Sequence, residues 1–139
     1  MINKKVKKDT FVDTLIGSNS KLVGDLKFEG GCHVDGAVVG NLTADPDTES
    51  ALSISDVGNV NGRITVPYVV LNGKVKGVVT SKRVELSRTA RVSGDVYYNL
   101  IQIAEGAEIN GKLVHYSEGQ MPDDKPSAKS QNGSKKEKN

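Results

Sequence analysis

The sequence predicts an all-β chain wound as a β-solenoid, and three observations carry that expectation. The first is a repeat. Val84-x-Leu86-x-x-x-Ala90-x-Val92-x-Gly94-x-Val96 is followed 17 residues later by Ile101-x-Ile103-x-x-x-Ala107-x-Ile109-x-Gly111-x-Leu113, with apolar on apolar, Ala on Ala and Gly on Gly. The second is alternation. Polar Glu85, Arg91, Ser93 and Asp95 separate the apolar sites of one copy, and Gln102, Glu108, Asn110 and Lys112 those of the other. Strict alternation marks a strand with one buried face. A strand pattern that returns at a fixed period, with no helix between copies, reads as one turn of a coil. An antiparallel meander also alternates, but it has no reason to repeat Ala and Gly at matched positions. The third is composition: Trp is absent, and only two Phe and four Tyr occur among 139 residues. A globular core usually leans on large aromatics, whereas a narrow coil filled by stacked Val, Ile and Leu does not need them.

Taken in order, the chain opens with MINKKVKK, four lysines and no acid around apolar Ile2 and Val6. Lysines near an anionic leaflet contribute about 1 kcal/mol each, and a few apolar side chains can dip into the interface. Ile2, Lys4, Lys5, Val6, Lys7 and Lys8 therefore form a candidate membrane contact; the alternative is a solvated terminus. Ile2 stands where myristoylation requires glycine, and no C-terminal Cys offers a prenylation site. Membrane affinity of one chain is then weak, and only many chains acting together would hold firmly. Residues 1–14 are expected to be a flexible tail.

From Ile16 to Leu26 the sequence reads as a partial leading coil, with Ser20, Leu22, Gly24 and Leu26 where a frame would end. The next copy is read as Leu26-x-Phe28-x-x-x-Cys32-x-Val34-x-Gly36-x-Val38, and the one after as Leu52-x-Ile54-x-x-x-Gly58-x-Val60-x-Gly62-x-Ile64. Val69-x-Leu71-x-Gly73-x-Val75-x-Gly77-x-Val79 is the same frame with two residues dropped from its middle. This alignment gives a small-residue column of Cys32, Gly58, Gly73, Ala90 and Ala107, and a glycine column of Gly36, Gly62, Gly77, Gly94 and Gly111. Between copies, the acidic run at 44–50 reads as a loop bulging from one corner. It is either a partner site or merely tolerated length. Pro67 lacks a backbone donor and belongs at a corner or strand start. Past Tyr116 the chain turns polar and charged, a composition that cannot bury enough to order itself, so 117–139 are expected to be a disordered tail and 15–116 the domain. The lysines near its end have no interleaved aromatics, so no nucleic acid is expected as a partner.

Catalytic chemistry is thin. His33 and His115 are the only histidines and Cys32 the only cysteine; none has a partner at motif spacing, and together they make no zinc signature. Alternation turns His33 outward and Cys32 inward. There is no phosphate-binding glycine loop preceding a helix, so no cofactor and no enzyme activity are expected. The alternative of a hexapeptide-repeat acyltransferase requires an apolar residue at every sixth position, and the 17-residue frame breaks that count. No run of 18 apolar residues exists and no secretory signal follows the N-terminus, which predicts a cytoplasmic protein.

The stretch Gly24-Asp25-Leu26-Lys27-Phe28-Glu29-Gly30, running on to Val34-Asp35-Gly36-Ala37-Val38-Val39-Gly40-Asn41, resembles the opening of a bactofilin domain. Gly73-Lys74-Val75-Lys76-Gly77 and Val92-Ser93-Gly94-Asp95-Val96 are similar to the family's inner coils. The resemblance covers about Leu15 to Tyr116. It implies a single right-handed parallel β-helix of about six coils that polymerises end to end, without nucleotide, into non-polar filaments. It further implies a bacterial scaffold on the cytoplasmic face of the inner membrane, organising cell shape, cell-wall synthesis or polar proteins. Anionic inner-membrane lipids and unidentified cell-wall enzymes or polarity proteins are the implied partners. Ile2, Lys4 and Lys5 match the family's membrane segment, with Ile in place of the bulkier aromatic common there.

Physics points the same way on assembly. Soluble solenoids must hide the strand edge at each end, and neither flank of the repeat offers a clear cap. Leu15, Ile16 and Leu22 at one end and Leu113, Val114 and Tyr116 at the other are the candidate polymerisation interface. A monomeric interaction module would instead fold residues 11–16 over the first coil.

Overall fold

The computed structural model describes residues 12–117 and contains no helix among them. Twelve strands follow in order: β1 (Val12–Ile16), β2 (Lys21–Val23), β3 (Leu26–Lys27), β4 (Gly31–Val34), β5 (Ala37–Val39), β6 (Leu42–Thr43), β7 (Ala51–Ile54), β8 (Asn59–Leu71), β9 (Lys74–Leu86), β10 (Arg91–Ile103), β11 (Glu108–Asn110) and β12 (Leu113–His115). Every pairing between them is parallel. Parallel pairing without helices is possible only if the chain circles back above itself, and the ladders show that it does.

Three ladders make three faces. On the first, β1, β4 and β7 are followed by the C-terminal parts of β8, β9 and β10. On the second, β2 and β5 are followed by the N-terminal parts of β8, β9 and β10, and then by β11. The third stacks β3 and β6, then the middle of β8, β9 and β10, then β12. The result is a three-sided β-solenoid of six coils. Inter-strand spacing of about 4.8 Å makes it roughly 29 Å tall.

The interior is columns of like side chains. Val38, Val60, Val75 and Val92 stack on the second face, and Leu42, Ile64, Val79 and Val96 on the third, all nearly inaccessible. The largest fully buried side chains are Leu, Ile and Val, and no aromatic is among them. Each such burial stabilises by about 1.5–3 kcal/mol. Gly94 shows why one column must be glycine. Its φ is 141°, a region open to glycine, and an added Cβ would run into the carbonyl oxygen of Gly77 directly beneath.

The register corrects the sequence alignment in one copy. Cys32 pairs with Thr14 below and Leu52 above, in the first apolar column. The small-residue column is Ser20, Gly36, Gly58, Gly73, Ala90 and Ala107, and the glycine column is Gly24, Gly40, Gly62, Gly77, Gly94 and Gly111. Gly36 thus belongs with the small residues, and Leu26 and Phe28 belong to the first coil. The cause is corner length: coil two turns at Asp35-Gly36 alone, as coil four does at Asn72-Gly73, where the frame expects two further residues.

The other irregularities fall at corners. Pro67 lies between Val66, paired with Ser81, and Tyr68, paired with Arg83, where the ladder skips a residue. The 44–50 segment is the long corner between β6 and β7. It is held by Thr48, whose N–H and hydroxyl both donate to the Asp45 carbonyl at 3.1 and 2.7 Å, and by the Ser50 hydroxyl, which accepts the Gly30 N–H at 3.0 Å.

Candidate functional site

Both ends of the coil are open among the described residues. At the C-terminal end four of the inward columns finish in Ile101, Ile103, Ile109 and Leu113. Ile103 is 44% and Leu113 42% exposed, whereas Leu86 and Val96 directly below them are 2% and 0%. At the N-terminal end Leu22 and Leu26 are half-buried beneath fully buried Val38 and Leu42. The backbone edges are open as well, since β1, β2 and β3 pair on one side only, as do β11 and β12. Each end therefore presents an apolar floor rimmed by strand groups able to hydrogen-bond another strand.

The expected interface residues take different positions. Leu113 ends an inward column. Ile16 points inward and is largely covered, and Leu22 is inward and half-buried. Leu15 faces sideways from the first face beside His33, 61% exposed. Val114 lies in the outward row above Tyr97. Tyr116 is buried, its N–H donating to the Tyr98 carbonyl at 2.9 Å. Sequence reasoning passed over Ile101, Ile103 and Ile109 at one end and Leu26 at the other. The repeat frame contained the signal, because every inward position of a terminal coil is an end residue. The membrane candidates Ile2, Lys4, Lys5, Val6, Lys7 and Lys8 lie outside the described residues.

The chemistry-bearing residues do not converge. The Cys32 thiol is buried, and burial pushes its pKa up to about 11, leaving a protonated, unreactive thiol at neutral pH. His33 points outward, its Nε2 3.0 Å from Asp35 Oδ1. The Ser55 hydroxyl chiefly holds the Asp35 carboxyl below its ordinary value; burial opposes it, and the charge and hydrogen bond of His33 add lesser lowering effects. The carboxylate thus stands between imidazole and hydroxyl, the reverse of an arrangement in which histidine activates serine. His115, four coils away, packs edge-on against Tyr98 with ring centroids 5.6 Å apart. Among the described residues no group of three His, Cys, Asp or Glu could hold a metal ion, and no helix is long and apolar enough to cross a membrane.

Comparison with known proteins bears on these open ends. Residues 14–114 match the family model described as bactofilin, polymer-forming cytoskeletal. Bactofilin BacO of Myxococcus xanthus (strain DK1622) is 30% identical over 102 residues, covering 73% of this chain and 78% of that protein. Bactofilin BacP of the same organism is 27% identical over 127 residues, covering 88% of this chain and 51% of that protein. No solved structure matches the chain.

Proposed function

The chain belongs to the bactofilin family of polymer-forming cytoskeletal proteins, and from that premise we propose that it self-assembles end to end through its terminal coils into filaments. The observation that carries this reading is the exposure of Ile103 and Leu113 at the top of columns that are otherwise sealed. Stacking a second end there would cover that floor and pair the open strand edge. The family resemblance supports the finer points: nucleotide-independent, non-polar filaments in the bacterial cytoplasm, scaffolding cell shape, cell-wall synthesis or polar proteins. A family of cytoskeletal proteins supports a structural rather than an enzymatic role. His33, His115 and Cys32 carry no reaction in this reading, and a hydrolytic or acyl-transfer activity lost on replacing all three with Ala would refute that part.

Electron microscopy of the purified full chain tests assembly. Filaments about one solenoid wide are expected, and a homogeneous monomer at all concentrations would overturn the reading. Peripheral attachment to the inner membrane rests on the basic segment containing Ile2, Lys4 and Lys5. Removal of residues 1–8 should release the protein from vesicles containing phosphatidylglycerol while filaments persist. Equal co-sedimentation of truncated and full-length chains would remove the anchor from the proposal.

A further inference from the structure

The three faces are not alike in charge. Lys21, Lys74, Lys76 and Arg91 project outward from the second face, in coils one, four and five, and no carboxylate stands in those outward rows until Glu108 in coil six. Coil three fills the interval with exposed Asn59 and Asn61. The other faces mix signs, with Arg83 beside Glu85 on the first, and Arg63 and Asp95 on the third. Coil four places Lys82 at the vertex opposite the second face, between the third and first faces, but in coils one and two that vertex has the reverse character. There Glu29, Asp45, Asp47 and Glu49 are exposed, and 28–30 and 44–50 contain no lysine or arginine. Hydrogen bonds from the Thr48 N–H and hydroxyl to the Asp45 carbonyl, and from the Gly30 N–H to the Ser50 hydroxyl, hold that corner to the coil.

We propose that the second face is a docking surface for the acidic 44–50 corner of a second copy of this chain, joining solenoids side by side. Charge complementarity selects the occupant: the carboxylates of one copy meet Lys74 and Lys76 of another. Donor and acceptor surfaces lie on opposite sides of the solenoid, so the contact is heterologous and does not close on itself. Each added copy presents a fresh face, which gives sheets or bundles rather than dimers. In a non-polar filament assembled end to end as proposed above, the contact recurs with every second solenoid, so pairs that are weak singly act together. The inference rests on that assembly only for its multiplicity.

The test takes filaments of the full chain from about 0.01 M salt, where the Debye length is roughly 30 Å, to about 0.15 M, where it is roughly 8 Å. Low-speed sedimentation reads bundles and electron microscopy reads single filaments. Bundles should form at low salt and disperse into single filaments as salt rises. D45N/D47N/E49Q and K74E/K76E should each abolish the low-speed pellet with filaments intact, and mixing D45K/D47K/E49K with K74E/K76E should restore it. Bundles that persist in both variants, or their absence at low salt in the unaltered chain, would overturn the proposal. So would a K74E/K76E variant that bundles normally but loses binding to phosphatidylglycerol vesicles, since the face would then meet lipid. Should no filaments form at any salt, the end-to-end reading fails. The lateral contact is then decided by low-salt sedimentation velocity: association lost in K74E/K76E sustains it, and no association refutes it.

Discussion

Cys32 shows how a single side chain is governed by the coil around it. It lies between Thr14 and Leu52, with 2% of its surface accessible. Burial raises its pKa from 9.0 to about 11 because the thiolate would lose its hydration. Iodoacetamide at pH 8 should therefore leave the native chain unlabelled and label it fully in denaturant, as read by mass spectrometry; rapid native labelling would mean that coil two opens. The linkage has a definite sign. Between pH 9.0 and about 11 the unfolded chain releases this proton first, so stability is complete below 9 and falls as pH rises through that window. The inward direction of Cys32 was legible from alternation, but its column was not. Small-x-apolar-x-Gly fits Cys32-x-Val34-x-Gly36 and Gly36-x-Val38-x-Gly40 equally well, and only stacking separates a shift of four residues. The proximity of Asp35 to Ser55 was invisible for a related reason: the long 44–50 corner between them hides their adjacency in space.

At the scale of the element, the corners hold what periodicity cannot show. The repeat frame ends on the third face at Val79 and its equivalents, yet one more inward column follows, running Phe28, Ala44, Val66, Ser81, Tyr98 and His115. Its chemistry changes at almost every step, so no hydrophobic count could find it. Ser81 is fully buried there, with its hydroxyl 3.0 Å from both the Pro67 and Arg83 carbonyl oxygens. It is the side-chain tie between β8 and β9 at the corner where Pro67 supplies no N–H. Ser81→Ala leaves those oxygens without that donor, at a cost of about 1–2 kcal/mol. The melting temperature should fall by several degrees in a domain of this size. Ser93→Ala, at an exposed site on β10, should leave it unchanged. Equal melting of the two variants would show that the tie is not made. The strands themselves were legible: wherever β8, β9 and β10 run unbroken for 13 residues, the sequence alternates and the spacing repeats.

Across all six coils, the consequence of stacking similar units is that, among the described residues, the terminal coils differ from the middle chiefly in having a neighbour on one side only. Val92 and Leu113 both point inward, on the second and third faces, but Val92 has Val75 below and Ile109 above, whereas Leu113 has Val96 below and no described residue above. A charge should therefore act oppositely at the two. Arg at position 92 would be buried without a partner, and an uncompensated buried charge costs several kcal/mol, enough to unfold a domain of ordinary stability. Arg at position 113 can turn its guanidinium past the end of the coil into water, so the fold survives while the apolar floor is lost. Leu113→Arg should give a β-rich monomer or single-contact dimer by sedimentation, with circular dichroism like that of the unaltered chain, and Val92→Arg should lose that signal. Assembly adds a thermodynamic signature. Ends that bind one another stabilise the folded state by mass action, so the melting temperature of the unaltered chain should climb with protein concentration, and that of Leu113→Arg should not. Normal filaments from Leu113→Arg, with a melting temperature that still rises with concentration, would place the contact away from the C-terminal coil.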